Sequence, residues 1–346
     1  MQAFTKTAPG VGNMAVGEVP VPTPGPGEAL VRIAQSGMCG TEILVYDDLY
    51  RGRNRPVPYP LIVGHEASGE VVELGPGAEG PAPGTRVGIE AVTGCGRCFH
   101  CLRGNYNLCP DWHHIGLTKA GALAGFVAVP ASSLLPLPEE VSFESAAFLE
   151  PLATAVHTLE RTKPGPGQSA AIIGPGALGL LHLLMLRAAG VGPILVLGRR
   201  GDEKRLELAR VLGADAAIVA DRSEAREHAA RFSDGMGLEL VIEAAGSSEA
   251  VQTALDIVGG KGTLVTLGIV RNTEIDALNI MRKDLVWMGV VASVRRHFAE
   301  ALRLIRRGKV QPERLITHRM VLADSVSAVL TLRQCEAVKI MFTPEG

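Results

Sequence analysis

Between Ala170 and Leu197 the chain reads AAIIGPGALGLLHLLMLRAAGVGPILVL, and the punctuation of this apolar run constrains the fold more than any other feature. A run this long and this apolar raises the prospect of a membrane span. Gly174, Pro175, Gly176, Gly179, Gly190, Gly192 and Pro193 argue against it. They divide the run into a short strand, a helix of about three turns carrying His182 and Arg187, and a second short strand. The expectation is a buried strand–helix–strand unit and no membrane association.

The first break, IIGPGALG, places Gly174, Gly176, Leu178 and Gly179 in a G-x-G-x-x-G pattern between strand and helix. The first glycine permits the tight turn, the second lets backbone approach a pyrophosphate, and the third lets helix pack on strand. The helix N-terminus then favours the anion. Further strand-like runs (AAIV, LELVIEAAG, GTLVTLGIV) alternate with helical stretches (DEKRLELARVLGA, SEAVQTALDIV). Such alternation predicts an α/β, doubly wound parallel sheet over residues 153–291.

Cofactor choice turns on the end of the second strand, where an acidic residue normally meets the ribose of NAD. Here the sequence is LGRRGDEKR, offering Gly198, Arg199 and Arg200. Two guanidiniums suit a 2′-phosphate, so NADP is favoured over NAD. The competing arrangement leaves both arginines in solvent and lets Asp202 or Glu203 reach the ribose.

A second cluster lies at CGRCFHCLRGNYNLCP, with Cys95, Cys98, Cys101 and Cys109. Its spacing partly imitates an iron–sulfur run; the neighbouring Arg97, His100 and Arg103 suggest a nucleic-acid-binding zinc ribbon; a closed structural zinc site is the third reading. A formal net charge of -2 gives no global basic surface for a phosphate backbone, which weakens the second. The first residues, MQAFTKTAPG, lack the apolar stretch of a secretory signal, so a cytoplasmic location is expected and thiols there are metal ligands before they are disulfides. Cys335 reads as a buried, inert thiol.

Three more stations carry metal chemistry. GMCGTE offers Cys39, Thr41 and Glu42; VGHEASG offers His65 and Glu66; FLEPLATAVH offers Glu150. Thiolate, imidazole and carboxylate together suit zinc, and three protein ligands with an open fourth place make a catalytic site.

The order GMCGTE, VGHEASG, CGRCFHCLRGNYNLC, EPLA, GPGALG resembles the zinc-dependent medium-chain dehydrogenase/reductase family, in particular its sorbitol and threonine dehydrogenase branch, over essentially the whole chain. The resemblance implies a GroES-like, β-rich catalytic domain from residues 1–152 and 292–346 beside the Rossmann domain, with the substrate in the cleft between them. It implies two zinc ions per chain: a structural one on Cys95, Cys98, Cys101 and Cys109, in a lobe at about 94–110, and a catalytic one on Cys39, His65 and either Glu66 or Glu150. The reaction implied is NAD(P)-linked interconversion of a secondary alcohol and its ketone, the alcohol being a polyol, cyclitol or amino alcohol. Threonine 3-dehydrogenase activity is the rival within the class, and a catalytically weak nucleotide-binding scaffold the rival outside it. Thr41 would pass on the hydroxyl proton. Tyr46 and Arg295, with Leu117 and Thr118, would line the substrate site, and Lys339 would meet the cofactor pyrophosphate. The pair His113 and His114 reads as loop, and His157 as a packed residue near the nicotinamide. A homodimer or homotetramer formed through DLVWMGVV is expected, with no nucleic-acid partner. Two positions depart from the family: Glu42 replaces an Asp that orients the zinc-bound imidazole, and Leu44 replaces a relay histidine.

Overall fold

The structure is a computed structural model describing residues 1–344 apart from 51, 53–55 and 271. The chain forms two compact units: Met1–Ala153 together with Ala292–Gly346, and Thr154–Val291.

The first unit is built around one long strand, Glu28–Met38. Along it Ala29, Val31 and Ile33 alternate onto one face, where they share a core with Val71, Val87, Ile89, Val127 and Val129. Met38, at its end, joins a second core with Phe4, Val63, Trp112, Leu123, Ile340 and Phe342. Burying each such large aliphatic side chain contributes about 1.5–3 kcal/mol. The strand pairs antiparallel with Glu66–Leu74, with Phe126–Pro130 and with Lys339–Phe342 in a seven-stranded sheet.

Register decides what meets at the end of this strand. Gly37 lies opposite both Glu66 and Met341, and Met38 opposite Ile340. Cys39 therefore arrives beside His65, Glu66 and Lys339. A β-carbon at position 37 would sit 2.5 Å from Glu66 Oε2, so only glycine lets that carboxylate cross the strand.

A two-stranded ribbon, Val92–Thr93 with His113–His114, closes the base of the cysteine segment. The segment folds as two short turns of helix, Phe99–Leu102 and Tyr106–Leu108.

The second unit is a six-stranded parallel sheet in the order 216–219, 194–198, 170–173, 238–243, 258–266 and 286–289. Its first strand, Ala170–Ile173, is buried throughout, as a strand covered by helices on both faces must be. The order reverses direction beside that strand, which is where a doubly wound fold binds nucleotide. The helix after the glycine motif, Ala177–Ala188, carries His182 and Arg187 as the punctuation predicts. The strand Val258–Thr266 begins earlier than GTLVTLGIV suggests, because Val258 already pairs with Leu238 before a register shift. Among the described residues no helix is long and apolar enough to cross a membrane.

Candidate active site and metal centres

Cys39 ends the long strand and caps the helix Gly40–Tyr46. Its backbone N–H donates to Glu42 Oε2 at 2.8 Å, and the other oxygen of the same carboxylate lies 3.2 Å from His65 Nδ1. Glu42 is completely buried. Its extra methylene relative to aspartate is what lets one carboxylate serve both the helix cap and the imidazole. Thr41 Oγ1 lies 3.5 Å from Cys39 Sγ.

Ligand atoms of Cys39, Glu42 and His65 fall within 4.8 Å of one another, as do those of His65, Glu66 and Glu150. Lys339 Nζ donates to Glu66 Oε2 at 2.5 Å and to Met38 O at 3.2 Å. Lys339 is 1% exposed, so the ammonium expected at a pyrophosphate is engaged inside the first unit.

The donor set fits a divalent cation. Glu66 Oε1 is buried without a hydrogen-bond partner, which costs free energy unless something else satisfies it, whereas Glu42 Oε1 and His65 Nδ1, though not well aligned, face each other at 3.2 Å. Burial pushes the Glu150 carboxyl up to about 7. Against the lowering effect of complete burial, Glu42 and Cys39 pull the His65 imidazole well above its usual range. Three carboxyl groups and a thiol facing one ammonium and one imidazole make a donor-rich site that a bound cation relieves.

Two histidines read as loop prove to be otherwise. His113 and His114 form the second strand of the ribbon, and His114 is buried with its ring edge-on to His65, 5.0 Å between centroids, and to Trp112 at 5.3 Å. Its Nδ1 lies 2.7 Å from Ile115 O, so that nitrogen carries the proton. Burial, with His65 adjacent, lowers its pKa to about 3 and keeps the ring neutral. A tandem His pair directly after a tryptophan was the only signal in the sequence.

The four cysteines of the lobe also bring their sulfurs within 4.8 Å of one another, with Cys98 Sγ and Cys109 Sγ 3.8 Å apart. Four sulfurs at about 2.3 Å from a tetrahedral zinc are about 3.8 Å apart, which matches. Backbone N–H groups of Cys95 and Asp111 point at Cys109 Sγ, both at 3.3 Å. Backbone N–H groups of Arg97 and Cys98 lower the Cys95 thiol to about 6, whereas burial pushes Cys101 up to about 12.

Arg295 is held by the lobe. Its backbone N–H donates to Tyr106 Oη at 2.5 Å, its Nε lies 3.4 Å from Glu90 Oε2, and its Nη1 donates to Leu134 O at 3.2 Å. Tyr106 Oη donates to Glu90 Oε1. Arg296 reaches Gly104 O at 3.1 Å. The guanidinium expected on a substrate hydroxyl thus ties the helix Arg295–Arg306 to the cysteine segment. Tyr46 packs against the core around Phe4 and Met38.

In the second unit Gly174 has φ +102°, open to glycine and strained for other residues, and Gly176 caps the helix that follows. A β-carbon at Gly179 would lie 2.1 Å from Gly174 O, as the close-packing role of the third glycine requires. Leu178 contributes its carbonyl to His182 Nδ1 at 2.7 Å. Beyond Gly198, Arg199 and Arg200 are exposed. Asp202 is turned inward at 5% exposure, accepting from Arg199 N–H at 3.1 Å and lying 3.3 Å from Arg205. Glu203 accepts from Gly201 N–H at 3.0 Å.

Residues 25–139 match the alcohol dehydrogenase GroES-like domain, and residues 177–307 match the zinc-binding dehydrogenase family. A sorbitol dehydrogenase of Halalkalibacterium halodurans is 33% identical over 99% of both chains. Among solved structures, a putative zinc-binding dehydrogenase from Sinorhizobium meliloti bound to NADP is 28% identical, with TM-score 0.87 over 99% of both chains. An Escherichia coli alcohol dehydrogenase (rspB) complexed with NADH is 26% identical, with TM-score 0.90 over 99% of both chains.

Proposed function

From the premise that this chain belongs to the zinc-dependent alcohol and polyol dehydrogenase family, we propose that it interconverts a secondary alcohol (a polyol, cyclitol or amino alcohol) and its ketone, with NADP as the preferred nucleotide. The observation that carries the reading is the pair of ligand clusters that share His65, one with Cys39 and one with Glu66 and Glu150, in which Glu66 Oε1 is buried without a hydrogen-bond partner.

In this reading Cys39, His65 and one carboxylate hold the catalytic zinc, and Cys95, Cys98, Cys101 and Cys109 hold the structural one. Zinc held there would supply a Lewis acid for the alcohol oxygen, and a bound nicotinamide would supply the acceptor for the hydride of the alcohol carbon. The protein's own residues do the rest. Glu42, beside His65 Nδ1, fixes the ring so that Nε2 is the ligating nitrogen. Lys339 holds Glu66 by one oxygen, which leaves the orphaned Oε1 as the third ligand. Glu150, the remaining carboxyl beside His65 and Glu66, is then the group placed to exchange a proton. Thr41 receives the hydroxyl proton, since a hydroxyl accepts and donates at once. Leu44 offers no relay beyond it, so the proton leaves by Glu150 or by water. NADP preference rests on Arg199 and Arg200 being exposed at the strand end while Asp202 is engaged inward.

Turnover of zinc-loaded protein is the test, with NAD and NADP offered separately against polyols, cyclitols, threonine and simple secondary alcohols. Reduced nicotinamide should form, faster with NADP. Replacing Arg199 and Arg200 together by Ala should raise the KM for NADP and leave that for NAD nearly unchanged; equal effects on both sink the NADP assignment. Nucleotide binding with no hydride transfer to or from any substrate, in either direction, would make the protein a scaffold.

A further inference from the structure

Glu243 closes the strand Leu238–Glu243 and is 0% exposed, at the carboxyl edge of the parallel sheet. Neither metal centre uses it. Its Oε1 accepts from the backbone N–H of Ala245 at 2.9 Å and of Gly246 at 2.6 Å. Its Oε2 is buried without a partner.

Three turns meet around this residue. The turn it grips continues into the helix Ser248–Ile257. The same turn abuts the first glycine of the nucleotide motif: a β-carbon on Gly174 would lie 2.8 Å from Ala245 N, and Ala244 N–H donates to Ile173 O at 2.9 Å. The third turn follows the strand Val258–Thr266: Leu267 N–H donates to Glu243 O at 2.9 Å, and a β-carbon on Gly268 would lie 2.7 Å from Glu243 Oε2. The buried carboxyl therefore fixes the 244–247 turn, and backbone hydrogen bonds tie that turn and the residue itself to the ends of the two neighbouring strands, at the edge where a doubly wound sheet binds its dinucleotide.

We infer that Glu243 is a positioning residue for the dinucleotide, holding the 244–247 turn against Gly174 so that the pyrophosphate loop is set before the nucleotide arrives. The inference rests on the dinucleotide reading of this unit. A preset loop avoids paying ordering entropy on binding, so loss of the clamp appears in nucleotide affinity. Burial holds the Glu243 carboxyl above its usual pKa, against the lowering effect of the backbone N–H groups of Gly246 and Ala245. Glutamine, isosteric with the carboxyl and keeping a carbonyl oxygen for the Ala245 and Gly246 N–H groups, should replace it.

The test is fluorescence titration of zinc-loaded protein with NADPH and with NADH, on wild type and on Glu243→Ala, Glu243→Asp and Glu243→Gln. Aspartate keeps the carboxyl but withdraws it by one methylene, so it serves where the alanine variant fails to fold. Ala and Asp should weaken both nucleotides by about tenfold, the loss expected for releasing one or two backbone hydrogen bonds. Gln should stay within about threefold of wild type by the same measure. Zinc content and kcat at saturating nucleotide should not change. Unaltered affinity in a folded Asp or Ala variant overturns the inference, as does a Gln variant no better than Ala. Wild type that binds neither nucleotide defeats the dinucleotide reading itself.

Discussion

Glu42 shows how a single methylene can be read in two ways. In the sequence it stands as a departure that threatens the orientation of His65; in the fold its two oxygens divide between the Cys39 N–H and the imidazole. Glu42→Asp should keep one of these contacts and lose the other. Outer-shell partners of a ligating histidine are worth about 10–100-fold in metal affinity, so the variant should hold catalytic zinc weakly while its lobe keeps the structural ion. Zinc per chain after dialysis against a mild chelator reads this directly, and two ions retained as in wild type would refute the double role. Most ligands were legible at this scale because thiol, imidazole and carboxylate stood in fixed order. His114 and Arg295 were not. The edge-on packing of one and the capture of the other by Glu90 and Tyr106 depend on contacts between residues far apart in the chain.

At the scale of elements, the cysteine segment is more than a metal clip. Glu90, Tyr106 and Arg295 fasten it to the strand Arg86–Ile89 and to the helix Arg295–Arg306. Burial is the main influence on Glu90 and holds its carboxyl at about 7, against an ordinary value of 4.5, despite the opposing pull of Tyr106 and Arg295. Between those values the folded protein binds a proton that the unfolded chain releases. The contribution is complete below 4.5 and is lost as pH rises through about 7. Wild type should lose thermal stability across that interval relative to Glu90→Gln, which carries no proton to lose. Parallel curves for the two proteins would show that Glu90 does not titrate there. The elements themselves were largely readable: glycine and proline cut the run from Ala170 into strand, helix and strand as found. The early start of Val258–Thr266 was missed because DIV continues an apolar helical pattern, and only pairing with Leu238 makes it strand.

The whole molecule depends on a pairing no local pattern announces. Lys339–Phe342 returns after the second unit to pair with the end of Glu28–Met38, and this delivers Lys339 to Glu66 across 273 positions. Sequence order named the participants; register made them a site. The central claim is that Cys39, His65, Glu66 and Glu150 form a catalytic zinc centre separate from the four-cysteine one. The most direct measurement is zinc content and hydride transfer together on His65→Ala, with nucleotide binding as the check on folding. The account predicts one zinc per chain instead of two, intact nucleotide binding and no turnover. Two zinc ions retained, or turnover with one, would contradict it.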